Sequence, residues 1–314
     1  MRRKTAFGIT LEYLPALIFV SAVRALPLRL AYAFSAFFAH LSFYIDRRHR
    51  ERTIQHLLHA GIATDRAAAV RLAKRNFREL SKVGVEVFKM PQLLTPATVR
   101  EHIHLAGSQK AIELFFTGAR TSSAIVVTAH FGNWELGGIG YALLSGRAML
   151  TVMRPFDNPK IGRLVYAQRE GYKHRLCPKE GALKSLLGAL RQGESVALIA
   201  DQHALPEEGV VTTFFGHPAS THASPAMLHL KTGVPILVVV SHRLDDHFHF
   251  EFVCADPIIM EPTGDKEGDV RRVAQLYTTA LEELIRRWPE QWMWAHRRWL
   301  DLNRSRPLSP RVAS

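Results

Sequence analysis

His130-Phe-Gly-Asn-Trp-Glu135 sets an imidazole and a carboxylate five positions apart, directly after the β-branched run Ala124-Ile-Val-Val-Thr-Ala129. Gly132 permits a tight turn and Asn133 can cap a following helix, so the chain can carry Glu135 back towards His130. A carboxylate bonded to one imidazole nitrogen fixes the tautomer, raises the basicity of the other nitrogen and makes the ring a general base. The sequence has no G-x-S-x-G elbow, and neither Cys177 nor Cys254 sits in a nucleophile's setting. An imidazole–acid pair without a protein nucleophile suggests that a substrate hydroxyl makes the attack. The spacing leaves a second reading open: a histidine that closes a strand beside an unrelated surface glutamate.

These residues need elements to hold them, and the pattern after residue 100 supplies an alternation. Ala124–Ala129, Met149–Met153, Ser195–Ala200 and Pro235–Ser241 read as strands, and Phe248–Cys254 pairs with the last as a hairpin across Leu244–His247. Helical stretches fall at Ile112–Thr117, Glu135–Leu144, Ile161–Glu170 and Ala182–Gln192. The expected fold is α/β: a mixed, mainly parallel sheet flanked by helices, with an antiparallel edge. Ligands of such open sheets bind beyond the carboxyl ends of the strands, where His130, Arg154 and Asp201 stand. Upstream, Asp65–Met90 has helical periodicity, with Asp65 as N-cap and Pro91 after its end.

The first fifty residues differ in character. Tyr13–Val23 and Leu30–Ile45 are uncharged apolar runs of 11 and 16 residues, flanked by eight Lys/Arg against two acids. Neither run reaches the roughly 20 residues that span a hydrocarbon core. Joined, they would bury Arg24 and Arg29, and Pro15 and Pro27 would interrupt one helix. An N-terminal apolar helical membrane anchor, one marginal helix or two lying in the interface beside an anionic membrane surface, is therefore expected. A cleaved signal peptide and the buried hairpin of a soluble protein compete with it. The absence of a small-x-small cleavage site and the second apolar run weigh against the former. The organisation expected is residues 1–50 as membrane-associating helices, 51–306 as the α/β domain and 307–314 as a tail.

The chain has 314 residues, 47% hydrophobic and 22% charged, which excludes disorder, collagen and a multi-pass membrane protein. Two cysteines fit neither a disulfide framework nor a metal spacing. The net charge of +13 calls for an acidic partner, yet no zinc finger, RNP or helix-turn-helix signature supports nucleic acid. His247 and His249 read as a solvated hairpin face, the tryptophans at 288, 292, 294 and 299 as core packing, and Arg297, Arg298, Arg304 and Arg306 as a solvated basic run.

His130 to Glu135 is an H-x-x-x-x-E motif, and His130-Phe-Gly-Asn-Trp-Glu-Leu-Gly-Gly138 resembles the glycerolipid acyltransferase branch that includes the late acyltransferases of lipid A biosynthesis. The likeness continues, in order, through Arg154–Pro159, Arg169, Ala200-Asp201-Gln202, Phe214-Phe-Gly216 and Pro289–Arg298. Ala200, where the family often has Pro, and a glycine-poor Ser220–Pro225 are the departures. The resemblance implies transfer of a fatty acyl group from an acyl thioester to a hydroxyl of a membrane lipid, with no cofactor or metal. His130 would be the base and Glu135 its partner. Arg169 would hold a phosphate or the developing oxyanion, Asp201 would orient that arginine, and Arg154 would clamp phosphate. It further implies acyl carrier protein or CoA as the thioester carrier, a lipid A precursor as acceptor, and the cytoplasmic face of the inner membrane. A phosphatidylinositol mannoside is the alternative acceptor, and a non-catalytic membrane scaffold or a lipid hydrolase are alternative functions.

Overall fold

The computed structural model describes residues 6–118, 122–153, 156–167 and 172–300. Four helices come first: α1 (Ala6–Ala25), α2 (Leu28–Ile45), α3 (Arg47–His59) and α4 (Arg66–Leu93). Then follow α5 (Val99–His102), β1 (Ile103–Gly107), α6 (Gln109–Ile112), β2 (Ile125–Thr128), α7 (Trp134–Ser145), β3 (Met149–Met153) and α8 (Pro159–Tyr166). The remainder comprises β4 (His174–Pro178), α9 (Ala182–Arg191), β5 (Ser195–Ile199), β6 (Gly209–Phe214), β7 (His217–His222), α10 (Ser224–Thr232), β8 (Ile236–Arg243), β9 (Phe250–Cys254) and α11 (Lys266–Arg287).

Seven strands form one sheet in the order β1-β9-β8-β2-β5-β3-β4, and β6 and β7 form a separate ribbon. The five strands from β8 to β4 are parallel to one another; β9 runs antiparallel to β8, and β1 pairs parallel with β9. The expected mixed sheet with its antiparallel edge is therefore present. Two of its strands, β1 and β4, and the separate β6–β7 ribbon are not legible in the sequence, because they carry too much polarity to read as buried runs. β4, for example, has only Cys177 buried and exposes Arg175 at the sheet edge.

Alternate side chains of β2 feed opposite cores, as strand pleating requires. Ile125 and Val127 pack with Leu57, Ala73, Leu186 and Ala226 from α3, α4, α9 and α10, while Val126 packs with Leu136, Ile139 and Phe115 on the other face. Asp65 caps α4 by accepting from the Ala68 N–H at 2.8 Å, as expected. The helix runs through Pro91 to Leu93, because a proline in the last turn removes only one of its hydrogen bonds.

Pro27 separates α1 from α2, whereas Pro15 sits inside α1 without ending it. Val20, Val23, Ala31 and Tyr32 of this pair pack on Val83 and Val87 of α4. The opposite surface is apolar and open: Leu14, Ile18, Leu30, Phe37, Phe38 and Ile45 are all exposed. The structure thus has two apolar helices at the N-terminus, each long enough by length and composition to cross a bilayer.

Candidate active site

Adjacent parallel strands β2 and β5 pair Thr128 with Ile199, so the second residue beyond each end meets the other: His130 and Asp201. His130 Nδ1 donates to Asp201 Oδ1 at 2.9 Å, and the His130 backbone N–H donates to Oδ2 at 2.8 Å. The indole N–H of Trp292 donates to the same Oδ2 at 2.8 Å. Asp201 is buried, and three N–H groups satisfy it where water cannot. Burial alone would raise its pKa, but the imidazole and these donors more than reverse that and hold it ionised. Burial likewise pulls His130 down, yet the charge and hydrogen bond of Asp201, joined by the charge of Glu135, leave its pKa above the ordinary histidine value.

The turn that presents His130 allows little else. Gly132 has φ +52°, and a Cβ there would lie 1.7 Å from the Ser241 carbonyl oxygen. Asn133 caps α7 by accepting from the Leu136 N–H at 2.9 Å, as its place in the turn suggested. The C-terminal segment closes the other side: the Met293 N–H donates to the His130 carbonyl at 2.9 Å, and Phe131 bridges Trp292 antiparallel. Asn76 of α4 holds that segment, donating to the carbonyls of Glu290 and Trp292 at 2.8 and 2.6 Å.

Glu135 stands in the first turn of α7 and lines the same cavity as His130. The carboxylate bonded to the ring is Asp201, however, and Glu135 bears on it through charge. The expected roles are thus rearranged: strand register brings Asp201 to His130 more directly than the turn brings Glu135. Arg154 and Arg169 lie outside the described residues, so the expected contact of Asp201 with Arg169 does too.

Four contributors escaped the sequence reading beyond their place in the ordered motifs. Trp292 donates to Asp201, as above. Gln202 places its side-chain nitrogen beside both His130 and His296. Arg298, expected on a solvated face, is buried: its guanidinium donates to the carbonyls of Gln202 and Ser220 at 3.0 and 2.5 Å and to Thr221 Oγ1 at 2.6 Å. The crowding of tryptophans was the available signal, and Trp292, Trp294 and Trp299 are indeed buried.

Below His130 a cavity of about 860 Å³ follows the sheet. Val126, Thr128, Tyr141, Met149, Val239 and Phe252 line it. Met149 opens β3 level with residue 124, just before β2 and six residues before His130, so the cavity lining follows about 20 Å of extended chain at roughly 3.3 Å per residue. Gly138 of α7 and His174 of β4 also line it, and they pack so closely that a Cβ at 138 would strike the His174 ring at 2.6 Å.

Chemically this is a carboxylate-held imidazole in the wall of a largely apolar cavity, in an α/β protein with its site at the strand ends. The family described as bacterial lipid A biosynthesis acyltransferase matches residues 2–301, and the chain belongs to that family. It is 29% identical over 182 residues to the lipid A biosynthesis lauroyltransferase of Escherichia coli strain K12, a match covering 57% of each chain. It is 25% identical to the lipid A biosynthesis palmitoleoyltransferase of the same organism, over 73% of this chain and 71% of that one. It is also 24% identical to the phosphatidylinositol mannoside acyltransferase of Mycolicibacterium smegmatis, over 58% of this chain and 59% of that one.

Proposed function

We propose that this protein moves a fatty acyl group from an acyl-carrier-protein thioester to a hydroxyl of a lipid A precursor at the cytoplasmic face of the inner membrane. The observation that carries the reading is the His130–Asp201 pair opening onto a long apolar cavity. The acceptor hydroxyl gives its proton to His130 Nε2 as its oxygen attacks the thioester carbonyl. The carbon–sulfur bond then breaks, and the departing thiolate takes that proton back from Nε2. Asp201 keeps the tautomer with the lone pair on Nε2, and the charge of Glu135 favours the imidazolium that forms. Arg169 and Arg154 serve this reading as phosphate-binding residues, since a guanidinium presents a fork of donors to phosphate oxygens.

Two further features fit a substrate that lives in a bilayer. Phe156, Leu183, Leu205 and Met227 line the cavity yet remain exposed, giving it an apolar rim. Trp134 lines it as well and packs on the cluster made by α1, α2 and α4, so one side chain joins the cavity wall to the helices that carry the exposed apolar face. That face, with its basic flank, anchors the protein at an anionic membrane surface.

Full-length protein in vesicles containing a lipid A precursor, supplied with labelled acyl-carrier-protein thioester, tests the reading. Wild type should label the precursor, and His130→Ala should be slower by about 10²–10⁴-fold. Equal labelling by the two proteins would leave His130 without a catalytic role. Label appearing only on a phosphatidylinositol mannoside supplied in parallel would move the acceptor to that glycolipid.

A further inference from the structure

Gln202 follows Asp201 in the chain, and its side-chain nitrogen lies 3.0 Å from His296 Nε2 and 3.2 Å from His130 Nε2. It is also 3.4 Å from His130 Nδ1. A donor on the axis of the Nε2 lone pair would lie much farther from Nδ1, so the amide sits beside the ring and leaves that lone pair open. The firm acceptor is His296. Its ring packs against His130 with centroids 4.7 Å apart. Burial first, and then the neighbouring His130, hold His296 down at about 4, so near neutral pH its Nε2 can keep a lone pair for the amide. Arg52 and His49 of α3 push it the same way, and Asp201 opposes them.

An amide nitrogen carries two hydrogens. With one held by His296, the second remains on the His130 side, where a hydroxyl donating to Nε2 would meet its thioester. The carbonyl carbon must come within bonding distance of that hydroxyl oxygen, and the Gln202 amide, 3.2 Å from Nε2, is then a side-chain donor within reach of the carbonyl oxygen. Such a fixed donor, aimed where negative charge develops, is the main electrostatic aid that acyl transfer asks of a protein. Arg298 steadies the arrangement from behind by donating to the Gln202 carbonyl at 3.0 Å.

We propose that Gln202 is a catalytic residue, hydrogen-bonding the thioester carbonyl oxygen as it becomes tetrahedral, and that His296 is the positioning residue that aims it. This rests on the acyl-transfer reading above. The carbonyl oxygen gains the electron pair of the C=O bond when the acceptor oxygen attacks, and the Gln202 N–H stabilises it without giving up its proton. When the carbon–sulfur bond breaks, that pair returns to the carbonyl.

The test is steady-state kinetics of the full chain in acceptor-containing vesicles, with thermal unfolding recorded for each variant. Gln202→Ala should lower kcat by about 10²–10³-fold with KM changed less than about threefold. Gln202→Glu keeps the shape but puts an acceptor where a donor is needed, and it should be at least as slow. His296→Ala should lower kcat about tenfold, and His296→Gln, whose amide oxygen can again accept from Gln202, should recover most of that loss. A normal kcat in folded Gln202→Glu, or a loss confined to KM, would overturn the oxyanion role while leaving acyl transfer intact. Equal kcat in His296→Ala and wild type would overturn the positioning role. Absence of transfer by wild type would remove the acyl-transfer reading itself, and this proposal with it.

Discussion

Asp201 and Glu86 are both buried carboxylates in ion pairs, yet they serve different ends. Glu86 accepts from both nitrogens of the Nε–Nη2 edge of Arg243, with Nη2 to Oε2 at 2.7 Å, and accepts from the Tyr32 hydroxyl at 2.9 Å. Glu79 adds a second carboxylate to Arg243 at 3.1 Å, so the cluster ties α2 and α4 to the end of β8. Its cation cannot lose its proton in any ordinary condition. Asp201 is paired instead with an imidazole, a group that can gain and lose a proton, and that ring lines a cavity. Depth of burial is thus the same for a brace and for a reactive centre, and the partner's titration distinguishes them.

The difference has a pH signature. His130 has a raised pKa in the folded protein, so its pairing contributes stability below the unfolded value and loses it as pH rises through the folded one. A general base acts in its neutral form, so activity rises over the same interval in which that stabilisation fades.

Breaking the brace should give the largest effect on the fold. Glu86→Gln leaves the Arg243 charge poorly compensated and should cost about 3–5 kcal/mol of stability in chemical denaturation. Activity per folded molecule should stay within about twofold. A steep fall in kcat without loss of stability would erase the distinction drawn here. A smaller effect is expected from Trp292→Phe, which keeps an aromatic ring but removes one donor from Asp201. That should cost about 1.5–3 kcal/mol, as for a hydrogen bond to a charged group, and should slow turnover as well. Loss of stability with unchanged kcat would make Trp292 a core residue only.

Much of this arrangement is legible in the sequence. The β-branched run before His130, the glycine turn and the Asn133 cap are local, and local signals survive in sequence. So are the two N-terminal apolar runs and the proline between them. The partner of His130 was harder, because which strand lies beside β2 is a long-range fact: Asp201 is 71 residues away and reaches the ring only through the β2–β5 register. Proximity in the chain favoured Glu135 for the same reason. The C-terminal contribution of Trp292, His296 and Arg298 depends on a segment folding back across the strand ends, and no periodicity announces that. Arg298 in particular read as surface because arginine is rarely buried without a carboxylate. In the structure, backbone carbonyls and the Thr221 hydroxyl receive it.

Whether Asp201 or Glu135 holds the His130 imidazole as the proposed base is read in the acid limb of the kcat/KM–pH profile. Asp201→Asn removes both the charge and the hydrogen bond that raise the pKa of His130, whereas Glu135→Gln removes only a more distant charge. The limb should move to lower pH in both variants, clearly further in Asp201→Asn, together with a drop of about 10²–10⁴-fold in rate there. A larger displacement in Glu135→Gln, or no displacement in Asp201→Asn, would contradict the account.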